Sequence, residues 1–189
     1  MRLTAPILAS LATVAILATA PAHAARPAVP PGLRSWLLAL ESVPTEAQVR
    51  ISGGPKVEAC LDGVVRDAAE TAYARHRALS FLGMLESPKA TALLRRHLTI
   101  ADPAMRATAA VAWATGPARR NAAAAWPELD RLLADPAPQV RASAARSLAF
   151  IADRKGAMDR VARARDRERV TEVQRALDRT ALKLGNRVP

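Results

Sequence analysis

The chain says nearly the same thing twice. "DPAMRATAAVAWATG" runs from Asp102 to Gly116, "DPAPQVRASAARSLAFIAD" runs from Asp135 to Asp153, and their arginines, Arg106 and Arg141, stand 35 residues apart. The same arginine recurs outside this pair. Arg77, Arg106, Arg141 and Arg175 are each followed by alanine, and seven residues after them stand Met84, Trp113, Leu148 and Leu182. A period near 35 built from apolar residues at helical spacing restricts the fold to paired helices stacked side by side. One helix pair of this size leaves much of its apolar face wet. A stacked neighbour buries it, at roughly 1.5–3 kcal/mol for each fully buried Leu or Met.

The helical stripes can be read in order. After a short helix with Leu33, Trp36, Leu37 and Leu40 on one side, Pro44 stops the chain and Thr45-Glu46 starts a turn. "SGGP", Ser52 to Pro55, is a break, with Pro55 suited to the first position of the next helix. Val57, Cys60, Leu61, Val64 and Val65 follow at i, i+3, i+4, i+7 and i+8. Further stripes are expected at Ala74–Leu85, Leu93–Leu98, Met105–Trp113, Arg120–Ala134, Val140–Ile151, Ala157–Ala164 and Glu168–Leu184, with Pro127 kinking the fifth of these eight helices and Gly185-Asn186 as the stop. Aromatic residues are 3% of the chain and alanine is abundant, so the fold class is all-α. Small side chains let an inner helix approach neighbours on two sides, and the aspartates before the inner helices can cap their free N–H groups.

Between about Pro55 and Gly185 the sequence resembles the HEAT-like repeat proteins. The resemblance is carried by the Asp-Pro turn, the Val-Arg-x-x-Ala-Ala of "QVRASAA", and the proline in the preceding helix. It implies a right-handed α-solenoid of about four helix pairs (55–189) behind an N-terminal helical cap (25–54). It also implies a ladder of hydrogen bonds between repeats, onto which Asp102, Arg106, Asp135 and Arg141 map. Asp135 lies six residues before Arg141, whereas Asp102 lies four before Arg106. The first and last pairs match in the arginine and the apolar spacing alone.

Residues 1–24 read as a secretory leader: Arg2, an uncharged apolar run from Pro6 to Ala20, then Ala22-His23-Ala24, with cleavage expected after Ala24. The run falls short of the ~20 residues a spanning helix needs. Cleavage removes one arginine and no acid, lowering the formal net charge from +11 to +10. The expected location is therefore periplasmic or secreted. A proline-rich stretch, "ARPAVPP", follows. Cys60 is the one cysteine, which excludes an internal disulfide framework.

No catalytic or metal motif emerges, and no cofactor is expected. His76 stands between Arg75 and Arg77, and His97 has no second ligand at metal spacing, so both are read as surface or half-buried helical histidines. Cys60 on an apolar stripe reads as a buried, inert thiol. Trp113 and Trp126 read as core, and Trp36 as a cover for the first helix pair. The carboxylates, scattered among arginines, read as solvated helix faces.

What remains is charge. Residues 154–189 carry eleven Lys or Arg against five Asp or Glu, densest in "RVARARDRER". Arg160, Arg163, Arg165, Arg167, Arg169, Arg175 and Arg179 are the candidate binding residues for an anionic partner. The same run would also serve as the polar outer face a terminal repeat needs. The expectation is a non-enzymatic scaffold binding another protein, acidic in character. The alternative is a binder of polyanions: envelope polysaccharide, lipid head groups or nucleic acid.

Overall fold

The computed structural model describes residues 28–185. The expected leader 1–24, its cleavage point and Asn186 lie outside them. Among the described residues there are ten α-helices and no strands: α1 (Pro31–Leu38), α2 (Glu46–Gly53), α3 (Val57–Arg66), α4 (Ala72–Met84), α5 (Pro88–His97), α6 (Pro103–Thr115), α7 (Ala122–Leu133), α8 (Pro138–Ser147), α9 (Arg154–Arg167) and α10 (Thr171–Gly185). Short 3₁₀ turns, Gly54–Lys56 and Leu148–Phe150, precede α3 and extend α8. No helix among the described residues is long and apolar enough to cross a membrane.

Side-chain caps set most helix starts. Thr71, Ser87, Asp102, Asn121 and Asp153 accept backbone N–H bonds at the first turns of α4, α5, α6, α7 and α9. Proline opens α5, α6 and α8, where its missing N–H is not needed. Boundaries depart from the sequence reading in three places. The turn expected after Pro44 is a full helix, α2, because Thr45 and Gln48 close a capping box and Val49 is buried. The break then falls at Gly54, in the left-handed region at φ 65°, and Pro55 sits in the 3₁₀ turn rather than opening α3. At the other end α9 begins at Arg154, three residues early, capped by Asp153, while α10 begins at Thr171, because the Glu168 carboxylate turns back to take the Arg169 and Val170 N–H groups.

Four helices pack in series: α4 on α6, α6 on α8, α8 on α10. α3 packs on α4, α5 on α4 and α6, α7 on α8, and α9 on α10. One apolar core runs through all of them, from Leu33 to Leu184. The middle of the series is made of small residues. Ala109, Ala110, Ala112 and Ala114 on α6, and Ala142, Ala144 and Ala145 on α8, are all buried. Gly83 on α4 lies so close to α6 that a Cβ there would stand 2.7 Å from the Ala112 carbonyl oxygen.

Candidate functional site: an arginine-lined groove

The run "RVARARDRER" folds as the second half of α9 and the link to α10. Helical geometry sorts its arginines: positions 160, 163 and 167 share one face, and 165 points elsewhere. That face, with Arg141 of α8 and Arg169 of the link, borders a groove of about 640 Å³. The opposite wall is the end of α7 and the α7–α8 turn, including Leu133 and Pro136. Ala164 and Val170 add apolar surface.

Three carboxylates border the groove, and each is already held by an arginine. Arg106 donates from Nε and Nη2 to the two oxygens of Asp135, at 2.8 and 2.9 Å. Arg141 grips Glu168 in the same way at 2.7 and 3.0 Å. Arg160 grips Asp130 at 2.8 and 3.0 Å while lying 3.9 Å over the Trp126 ring. Two-bond Arg–carboxylate pairs are strong and orientation-specific. The bonds from Arg141, together with the N–H groups of Val170 and Arg169, outweigh burial and hold the Glu168 carboxyl at about 2. Burial pushes Asp135 up, but Arg106 and the Ala137 N–H more than offset it, so its pKa is lowered. Asp135 and Glu168 are therefore held as anions, and Asp130 is taken by the Arg160 fork. By contrast, the guanidinium groups of Arg163, Arg167 and Arg169 meet no carboxylate among the described residues, and all three residues are exposed. The groove carries an uncompensated positive surplus.

Of the seven arginines singled out from the sequence, the structure gathers Arg160, Arg163, Arg167 and Arg169 around this groove. Arg165 leaves it to pair with Asp178 of α10 at 2.8 Å. Arg175 and Arg179 are exposed on α10, with the Arg179 Nε–H donating to the Arg175 carbonyl, and neither borders the groove.

The four ladder residues separate similarly. Arg106 and Arg141 make matching contacts: each Nη1 donates to carbonyls six and five residues before it (Ile100 and Ala101; Asp135 and Pro136), and each fork holds an acid in the turn between the two helices of the following pair. Asp135 joins Arg106. Among the described residues Asp102 makes no hydrogen bond to an arginine; its carboxylate takes the Ala104 and Met105 N–H groups at the start of α6, which follows from its lying two residues nearer its arginine than Asp135 does. Arg141's partner is Glu168, which the sequence reading placed at a helix start and did not connect to a ladder.

A second cluster was missed altogether. Asp62 is buried on α3, contrary to the solvated face expected for it. It accepts from Arg96 at 2.7 Å and from His97 Nε2 at 2.8 Å, and pairs with Arg66 at 2.9 Å. Burial pushes its carboxyl up, but the His97 and Arg96 hydrogen bonds and the charges of Arg66 and Arg96 bring it down to about 2. His97 is accordingly fully buried rather than at or near the surface. The signal available in sequence was the 35-residue spacing between Asp62 and His97, one repeat length. His76, part-buried, meets the Thr108 hydroxyl at 2.7 Å. Cys60 is buried, and burial pushes its thiol pKa up. Trp113 is buried, and Trp36 is half-buried, donating its indole N–H to Ser52 Oγ at 3.2 Å. No group of three or more His, Cys, Asp or Glu side chains suited to a metal ion occurs among the described residues.

Compared with protein-family models and with curated proteins, the sequence finds no match.

Proposed function

We propose that this chain is an exported, non-enzymatic HEAT-like scaffold that binds an acidic segment of another protein in the arginine-lined groove. The repeat reading is supported by the serial packing of α4, α6, α8 and α10, and by Arg106 and Arg141 repeating the same contacts one helix pair apart. The binding reading rests on one observation: three exposed arginines with no carboxylate partner among the described residues border a groove whose own acids are all engaged. Such a surface attracts anions at long range and has donors left to hold them at contact. Asp135 and Glu168, held well into their anionic range by arginine forks, are poor candidates for general acid or base work near neutral pH. Export rests on the leader pattern of residues 1–24.

The test is fluorescence anisotropy with a labelled Glu-rich peptide and the purified protein. Binding should weaken steeply between ~50 and ~200 mM salt if ion pairing dominates. Charge reversal in R163E/R167E/R169E should weaken it at least about tenfold, because like charges would then face the ligand. Equal binding by the triple variant would overturn the groove reading. Much tighter, equally arginine-dependent binding of a sulfated polysaccharide would move the assignment to polyanion binding.

A further inference from the structure

Helix α7 connects two cavities. Its last turn borders the arginine-lined groove, and its first turn, capped by Asn121, borders a second cavity of about 400 Å³ between α5, the end of α6 and the α6–α7 link. Three arginines line this second cavity, Arg95, Arg119 and Arg120, against one acid, Glu86. Arg119 and Arg120 are exposed and meet no carboxylate among the described residues, while Arg95 lies 3.5 Å from Glu128. The first turns of α5 and α7 and the end of α6 border the cavity, with Ser87 and Asn121 capping the two helix starts. Trp113 is part of the wall. Its indole N–H is buried and has no hydrogen-bond partner among the described residues, which is costly unless something supplies an acceptor. The Arg95 guanidinium lies over the face of this indole, 5.3 Å from the ring centroid, and its side chain is about half exposed. Pro88, Pro117 and Ala124 supply an apolar margin.

We propose that this cavity receives the free C-terminal carboxylate of a polypeptide, with the last side chain against Trp113 and the flanking prolines. A carboxylate matches the planar guanidinium fork and the indole donor. The modest surplus of positive charge, with Glu86 at the border, suits a monoanion better than a phosphate dianion. The apolar margin suits a carboxylate that carries an aliphatic residue. The inference rests on the protein-binding reading above, and it fixes a second point of contact at the other end of α7, roughly 18 Å away for a twelve-residue helix.

The experiment follows the Trp113 indole N–H resonance of the purified protein, assigned with W113F, during titration with an N-acetylated tripeptide ending in leucine. Its C-terminal amide and inorganic phosphate are titrated separately. The free acid should shift the resonance, the amide should bind at least tenfold more weakly, and R119A/R120A should abolish the shift. Both arginines are exposed, so the variant retains the fold. Equal shifts from acid and amide, no shift from the acid, tighter binding of phosphate, or full binding by R119A/R120A would each overturn the proposal. R163E/R167E/R169E separates the two readings. Loss of Glu-rich peptide binding in that variant alongside no tripeptide response in the wild type rejects this cavity alone. Tripeptide binding alongside unaltered Glu-rich peptide binding rejects the groove alone.

Discussion

Arg106 holds both carboxylate oxygens of Asp135 across the boundary between one helix pair and the next, with the two side chains 11% and 6% exposed. Each is largely shielded from water, so removing one leaves the other poorly solvated. Breaking a buried pair from one side costs far more than the pair is worth as a whole, about 3–5 kcal/mol at the upper end. Asp135 also takes the Ala137 N–H, so its loss uncaps the approach to α8. Asp135→Ala should therefore lower unfolding free energy in urea by about 3 kcal/mol. R106A/D135A should lose less than the sum of the two single variants. Additive losses would mean that the two side chains are not energetically coupled.

Acid should loosen the protein through Glu168 and Asp62. Both carboxyls sit at about 2, below ordinary values of 4.5 and 3.8. A depressed folded-state pKa gives stability that is fully present above the unfolded value and lost as pH falls toward the folded one. The urea midpoint should hold steady down to about pH 5 and then fall toward pH 2. Glu168→Gln removes one of these titrations and leaves those of Asp62 and Asp135, whose pKa is also lowered. It should be less stable than wild type at neutral pH and show a shallower fall, so the two curves converge near pH 2. Parallel curves would show that Glu168 does not contribute.

How much of this was visible in the linear chain depended on range. Helices, caps and the arginine period are local patterns, and α3 to α10 fall where those patterns put them to within about three residues, save that α5 begins at Pro88, five residues before Leu93. The partner of each arginine is a different matter. Arg106 and Asp135 are 29 residues apart, and Arg141 and Glu168 are 27, so their meeting depends on how one pair docks on the next. Asp102 shows the limit. The Asp-Pro spelling is the same in both copies, yet a spacing shorter by two residues makes one aspartate a cap and the other a clasp. Asp62 and His97 were overlooked for a related reason: a buried charge betrays itself by its partner, and the partner lies on another helix. For the basic run, helical spacing alone could have separated Arg165 from Arg160, Arg163 and Arg167; which wall they face could not be read until α7 was placed.

Two glycines inside helices should respond oppositely to alanine. Helix propensity alone favours Gly→Ala by about 1 kcal/mol in each case. At Gly63 in α3 the added methyl meets nothing within 4 Å, so G63A should stabilise by roughly 0.5–1 kcal/mol. At Gly83 the methyl would press on the Ala112 carbonyl oxygen and on its Cβ, 3.1 Å away, at the contact between α4 and α6. Backbone cannot yield as a flexible side chain does, and G83A should destabilise by about 1–3 kcal/mol. Thermal unfolding of the two variants beside wild type decides this. Stabilisation by G83A would mean that α4 and α6 are not in close contact at that point.

Ser147 offers the reverse case, a group better removed. It lies at the end of α8, completely buried, and its hydroxyl has no hydrogen-bond partner among the described residues. An unpartnered buried hydroxyl costs about 1–3 kcal/mol relative to water. Deleting one oxygen leaves a small void that cancels part of the gain. Alanine also extends the pattern of small buried residues that lets α8 lie between α6 and α10, and it is a better helix former than serine. Ser147→Ala should therefore raise unfolding free energy by about 1 kcal/mol, with no change in the denaturant slope. A loss of stability of similar size would show that the hydroxyl has an acceptor in solution, and the α8 contacts would need revision there.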